Sequence, residues 1–219
     1  MQTKAQSYKG QHQKIKKDQL FDLKHMTPPI KTGLLCGTFD PLHNGHLSID
    51  NYACEGRGLD EVWLVVSPQS PGKMNRSITN EYLRLEMVQQ FLEGNSRIKC
   101  CDIEFDLPRP SFLINSVLAL KEAFPTREFV LLLGSDQWIH FHKWYKSDEI
   151  LNEVLVWIYP RTGYEINGLK KLENVKQLNA PLMDISSTSI RIALAKGENV
   201  RECMPSAEYE YIINNKIYS

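Results

Sequence analysis

Short apolar runs that stop at a glycine or proline, each followed by a stretch of helical periodicity, recur along most of this chain. "TGLLCG" (32–37), "DEVWLVVSP" (60–68), "RIKCCDIEF" (97–105), "REFVLLLGSD" (127–136) and "EVLVWIYP" (153–160) are the strongest, and "KQLNAPLMDIS" offers a sixth. Runs that are apolar almost throughout, with no in–out alternation, mark strands buried on both faces. Between them the periodicity predicts helices over 44–56, 79–93, from a capping Ser111, from "SDE" at 147–149, over 187–197 and from Pro205-Ser206. Their inward residues are read as Leu47, Tyr52 and Ala53, then Leu85, Val88 and Leu92, then Val117, Leu120 and Phe124, and last Tyr209, Ile212 and Ile213. Strands alternating with helices wind as right-handed βαβ units. The expected fold is α/β: one doubly wound, mostly parallel, Rossmann-like sheet forming a single domain over residues 31–219.

Such a sheet binds ligands beyond the carboxyl ends of its strands, where the strand order reverses. Two strand ends carry polar groups suited to that place, "GTFD" after the first strand and "GSD" after the fourth. In a sheet ordered 3-2-1-4-5 those strands are neighbours, so His43, His46 and Asp136 are expected around one crevice. Gly37-Thr38-Phe39 leaves the strand directly and its backbone N–H groups can approach a phosphate closely. "HNGH" at 43–46 then falls where a helix begins, adding free N–H groups and partial positive charge. The chemistry this turn suits is polyphosphate binding.

Composition narrows the rest. The chain has 219 residues and a formal net charge of zero, which gives no reason to expect a nucleic-acid partner. Residues 1–30 are rich in Lys and Gln and are read as a basic, poorly ordered N-terminal extension, carrying His12 and His25 without a role. The five cysteines show no CxxC spacing, which argues against a zinc site and a disulfide framework and fits reduced thiols in a cytoplasmic protein. Cys100 and Cys101, adjacent in a strand, should point to opposite faces. His140 and His142 form an HxH pair that is read as exposed loop, not a metal site. No apolar run is long enough to span a bilayer, and no secretory signal is evident.

Three stretches resemble a known family. "GTFDPLHNGH" (37–46) is similar to the signature of the HIGH-motif nucleotidylyltransferases. "DISSTSIR" (184–191) resembles the ISxTxIR motif of their adenylyltransferase branch, and "GSDQWIHFHKWYKSDEIL" (134–151) resembles the GxD…W segment of bacterial nicotinate-nucleotide adenylyltransferases. That resemblance implies a nucleotidylyltransferase-type fold and a reaction of ATP with nicotinate mononucleotide (NaMN). The products would be nicotinate adenine dinucleotide and pyrophosphate, in NAD biosynthesis, with Mg²⁺ accompanying ATP and no protein-held metal. His43, His46, Lys73 and Arg191 would be the catalytic contacts to the phosphates, with His46 nearest the reacting phosphorus. Gly37, Thr38, Phe39, Asp136, Ser186 and Thr188 would complete the ATP site, Asp136 on a ribose hydroxyl. Ser111, Leu113, Trp144 and Tyr145 would form the NaMN site, with Trp144 stacked on the nicotinate ring.

Two departures from the family pattern carry consequences. Pro71-Gly72-Lys73 stands where the family has Pro-His-Lys, removing one imidazole from the phosphate loop. Ser111-Phe112-Leu113 stands where it has Ser-Tyr-Thr, so recognition of the pyridine carboxylate falls on backbone N–H groups. Acceptor choice between NaMN and its amide NMN, or another phosphorylated acceptor, is therefore an open alternative at this level, as is a non-catalytic nucleotide-binding module. An oligomer is compatible with all of these.

Overall fold

A computed structural model describes residues 28–55, 58–73, 78–166, 172–182 and 184–218. Most of the expected N-terminal extension, residues 1–27, lies outside the described residues. Six strands form one sheet: β1 (Ile30–Gly37), β2 (Glu61–Val66), β3 (Ile98–Cys101), β4 (Arg127–Gly134), β5 (Leu155–Tyr159) and β6 (Val175–Gln177). Every pair is parallel and the order is β3-β2-β1-β4-β5-β6. The expected order thus holds, extended by the sixth strand, and the switch point lies between β1 and β4. The boundary drawn after residue 30 falls inside β1, because Ile30 already pairs with Arg127.

Among the described residues the helices are α1 (Asn44–Cys54), α2 (Glu81–Phe91), α3 (Leu113–Ala123), α4 (Ser135–Phe141), α5 (Ser147–Glu153), α6 (Ser187–Ala195) and α7 (Ser206–Asn214). Side chains alternate across the sheet and divide the core in two. Leu34, Val65, Leu131 and Leu133 pack with Val117 and Leu120 of α3, Phe141 of α4 and Ile150 of α5. Leu35, Leu64, Val130 and Leu132 pack on the other face with Ile49 and Ala53 of α1 and Val88 of α2. Cys101 belongs to the first cluster and Cys100 packs against the second, as the strand period requires. A third cluster leaves the sheet altogether: Met87 of α2 joins Ile190 and Leu194 of α6 and Ile212 of α7. That cluster hangs the last two helices on α2, beside the carboxyl ends of β1 and β2.

Several local readings change. Tyr52, Phe124 and Ile213 are exposed, not inward; Phe124 lies one residue past the end of α3, with its ring edge-on to Trp63 at 4.9 Å. Ser111 does not cap α3; Phe112 holds the N-cap position without a side-chain bond, and Ser111 is buried instead. The α5 cap is Lys146 in left-handed backbone, one residue before the expected Ser147. The aromatic segment after β4 is helix α4. At the amino end of the sheet, Glu61 meets Lys99, Arg127 and the Trp63 indole N–H, a polar knot far from the switch point.

Candidate active site

Beyond Gly37 the chain turns sharply, and Phe39 is held at φ 47, a left-handed conformation that is uncommon for a bulky residue. Burial fixes it there: Phe39 is in the core and its ring meets the His46 ring edge-on at 5.0 Å between centroids. His43 and His46 stack with centroids 3.7 Å apart. His46 Nδ1 accepts a hydrogen bond from the His43 amide at 3.3 Å, which puts the His46 proton on Nε2 as a donor. His43 is buried with Nδ1 lacking a protein partner. Desolvation and then the nearby Arg161 cation lower its pKa to about 3, so its imidazole is neutral. A Cβ at Gly45 would come within 2.9 Å of His43 Nδ1, so glycine is what lets the ring lie flat against the turn.

The cleft over this turn has a volume of about 210 Å³. Gly37, Thr38, Phe39, His43, His46, Asp136, Ser186, Thr188 and Arg191 all line it. Asp136 stands in the first turn of α4, immediately after β4. Here too a glycine makes room, since a Cβ on Gly134 would displace the Asp136 carboxylate from this position. Ser186 is the N-cap of α6 and accepts from the Ser189 amide at 3.1 Å. Ser187 donates to the Pro41 carbonyl at 2.9 Å, docking the positive end of α6 on the histidine turn. Arg191, one turn on, donates from Nη1 to the Asp40 carbonyl at 2.6 Å and reaches Thr188 Oγ1 at 3.5 Å.

The residues expected to hold the acceptor form a separate group. Trp144 packs partly buried beside Phe112 and Leu113 against the first core cluster, and the Phe112 and Tyr145 rings meet at 4.7 Å. Ser111 is buried, with its hydroxyl near the carboxyl of the buried Glu104. Burial raises the Glu104 pKa, opposed by the Ser116, Ser67 and Ser111 hydroxyls. None of Ser111, Leu113, Trp144 and Tyr145 lines the phosphate cleft. The Lys73 backbone ends the 3-10 turn Pro71–Lys73, and its side chain lies outside the described residues. His140 and His142 are exposed.

Sequence reasoning missed Arg161, Asp40 and Arg84. Arg161 lines the cleft and donates from Nη1 to the Ile185 carbonyl at 3.2 Å. Its signal was available, because "YPRTG" places an arginine just past the end of β5. Arg84 is buried and donates to the carbonyls of Thr38 (2.5 Å), Ser67 (2.9 Å), Pro68 (3.0 Å) and Thr79 (2.9 Å). It ties the ends of β1 and β2 to the start of α2, and nothing in its local sequence announces that.

A parallel sheet whose switch-point crevice holds stacked histidines at a strand–helix turn, faced by an arginine-bearing helix, defines a nucleotidylyltransferase of the HIGH-motif type. Residues 34–193 match the cytidylyltransferase-like family. A Bacteroides fragilis protein described as a probable nicotinate-nucleotide adenylyltransferase is 43% identical over 183 residues, covering 84% of this chain and 91% of that one. A Christiangramia forsetii protein of the same description is 37% identical over 190 residues, covering 86% and 98%. Among solved structures, Plasmodium falciparum nicotinic acid mononucleotide adenylyltransferase complexed with NaAD shares the fold at a TM-score of 0.71 and 22% identity, covering 86% of this chain and 97% of that one. The chain belongs to the nicotinate-nucleotide adenylyltransferase family of the cytidylyltransferase-like group.

Proposed function

We infer that this protein transfers the adenylyl group of ATP to nicotinate mononucleotide, giving nicotinate adenine dinucleotide and pyrophosphate in NAD biosynthesis. One observation carries the reading: β1, α1, α4 and α6 bring His43, His46, Asp136 and Arg191 to a single cleft at the switch point. An oxygen of the NaMN phosphate attacks the α-phosphorus of ATP. One P–O bond forms, the α–β bridge breaks, and pyrophosphate leaves. The step needs no protein nucleophile, so the residues act by positioning and by stabilising negative charge.

His46 donates from Nε2 to the α-phosphate oxygens as charge builds there. His43, neutral and stacked behind it, lines the same cleft and fixes the plane of the His46 ring. Arg191 holds the β- and γ-phosphates, with Arg161 as a second cation beside it. Gly37, Thr38 and Phe39 offer backbone N–H groups, Ser186 and Thr188 line the entrance of α6, and Asp136 takes a ribose hydroxyl. Lys73 is assigned to the phosphates from the loop after β2. Trp144 stacks on the nicotinate ring, with Tyr145, Ser111 and Leu113 around it.

Mg²⁺ fits as a companion of ATP, held chiefly by phosphate oxygens and water, and it supplies neutralisation of the phosphate charge. Among the described residues no group of three or more His, Cys, Asp or Glu side chains is placed to hold a metal ion. Both oxygens of Asp40 already face protein donors. An ATP-dependent enzyme whose five cysteines form no disulfide suits the cytoplasm. Among the described residues no helix is long and apolar enough to cross a membrane.

The test is pyrophosphate release from ATP plus NaMN by the pure, folded protein, run beside ATP plus NMN. NaMN should give the higher kcat/KM, and no release with either acceptor would overturn the reading. His46→Ala should lower kcat by about 10²–10³ through loss of one transition-state donor, with thermal unfolding unchanged. An unaltered rate would remove His46 from the mechanism.

A further inference from the structure

Asp40 sits in the histidine turn, 2% exposed, and three distant parts of the chain converge on it. The Tyr218 hydroxyl donates to Oδ1 at 2.8 Å. The Thr79 amide, just before α2, donates to Oδ2 at 3.4 Å. Arg191 Nη1 lies 3.6 Å from Oδ2 and donates to the Asp40 main-chain carbonyl. Tyr218 itself does not line the cleft.

The chain goes to some length to bring Tyr218 there. After α7, Lys216 donates to the Ile213 carbonyl and Ile217 to the Ile212 carbonyl, folding the segment back. Lys216 and Tyr218 are both held in left-handed backbone, at φ 52 and φ 71, a costly conformation for residues with a Cβ. Tyr218 packs against the cluster that joins α2, α6 and α7. Burial, followed by the Asp40 carboxylate, raises its pKa, so it is a donor throughout the working pH range.

We propose that Tyr218 is a positioning residue for the triphosphate grip, acting through Asp40 on Arg191. A guanidinium and a free carboxylate prefer a bidentate, fork-to-fork pair. With Oδ1 bound by Tyr218 and Oδ2 facing Thr79, Asp40 anchors Arg191 by Nη1 alone, and Nη2, held only at 3.5 Å from Thr188 Oγ1, is left to turn to phosphate. Without the hydroxyl, Oδ1 turns to Arg191, closes the fork and competes with ATP for it.

This inference rests on the adenylyl-transfer reading, and two measurements separate them. Tyr218→Phe keeps the ring and its packing while removing the donor. ATP affinity measured by equilibrium dialysis without acceptor should weaken about tenfold, the size expected for losing one hydrogen bond to a charged group. In turnover, KM for ATP should rise by a similar factor while KM for NaMN stays within about twofold. In an Arg191→Ala background, Tyr218→Phe should add less than about twofold, since the two residues act as one unit. Unchanged ATP affinity in Tyr218→Phe, full multiplication of the two effects, or a parallel rise in both KM values would each overturn the proposal. Wild-type protein that binds ATP but releases no pyrophosphate would instead defeat the transfer reading, and the dialysis result would still decide Tyr218.

Discussion

His43 and His46 are separated by two residues, yet their environments set them to different tasks. His46 faces the cleft with a proton on Nε2, while His43 is buried with its pKa lowered to about 3 by desolvation and by Arg161. The stability consequence follows from the sign of that shift. Below the ordinary histidine pKa of 6.5 the unfolded chain binds a proton at His43 that the folded protein refuses. His43 therefore makes stability fall as pH drops from 6.5 toward 3, and has no such effect above 6.5. Urea unfolding at pH 7, 5 and 4 should show a flatter pH dependence for His43→Gln than for wild type. Parallel curves would mean that His43 titrates as an exposed imidazole. That two histidines serve one turn is legible in "HNGH"; which is buried depends on the stack and on Arg161, a residue of another strand end.

Helix α2 shows what periodicity can and cannot say. Val88 and Leu92 are buried as expected, and Leu85 is half-buried. Arg84, which reads as a surface charge, is 1% exposed and its guanidinium satisfies four carbonyls at the strand ends that build the cleft. Lysine offers a compact charge and no planar fork, so it cannot span those acceptors. Arg84→Lys should destabilise the protein by about 2–4 kcal/mol in urea unfolding, the range for stranding buried polar groups. A loss below about 0.5 kcal/mol would mean that the position behaves as open surface. Met87, on the same helix, carries the cluster that suspends α6 and α7, so α2 locates both the phosphate turn and Arg191.

At the scale of the molecule, we propose that residues from β1 onward are the catalytic domain and that the basic N-terminal extension is dispensable for turnover. Removing residues 1–27 leaves Ile30 and its pairing to Arg127 in place, and kcat/KM for ATP and NaMN should stay within about twofold of the full chain. A large loss would assign the extension a part in folding or binding. By itself the sequence determined the strand–helix alternation, the parallel sheet, the place of its switch point and the meeting of His43, His46 and Asp136 in one cleft. Those features are local: a buried parallel strand, a glycine at its end and a helix start are each written within about ten residues. Tertiary structure alone decided that Arg84 is interior, that Asp40 is the meeting point of Arg191, Thr79 and Tyr218, and that burial, with Arg161 beside it, depresses the pKa of His43. The partner of a buried polar group is set by the paths of distant segments through the fold, and no local pattern around that group encodes it.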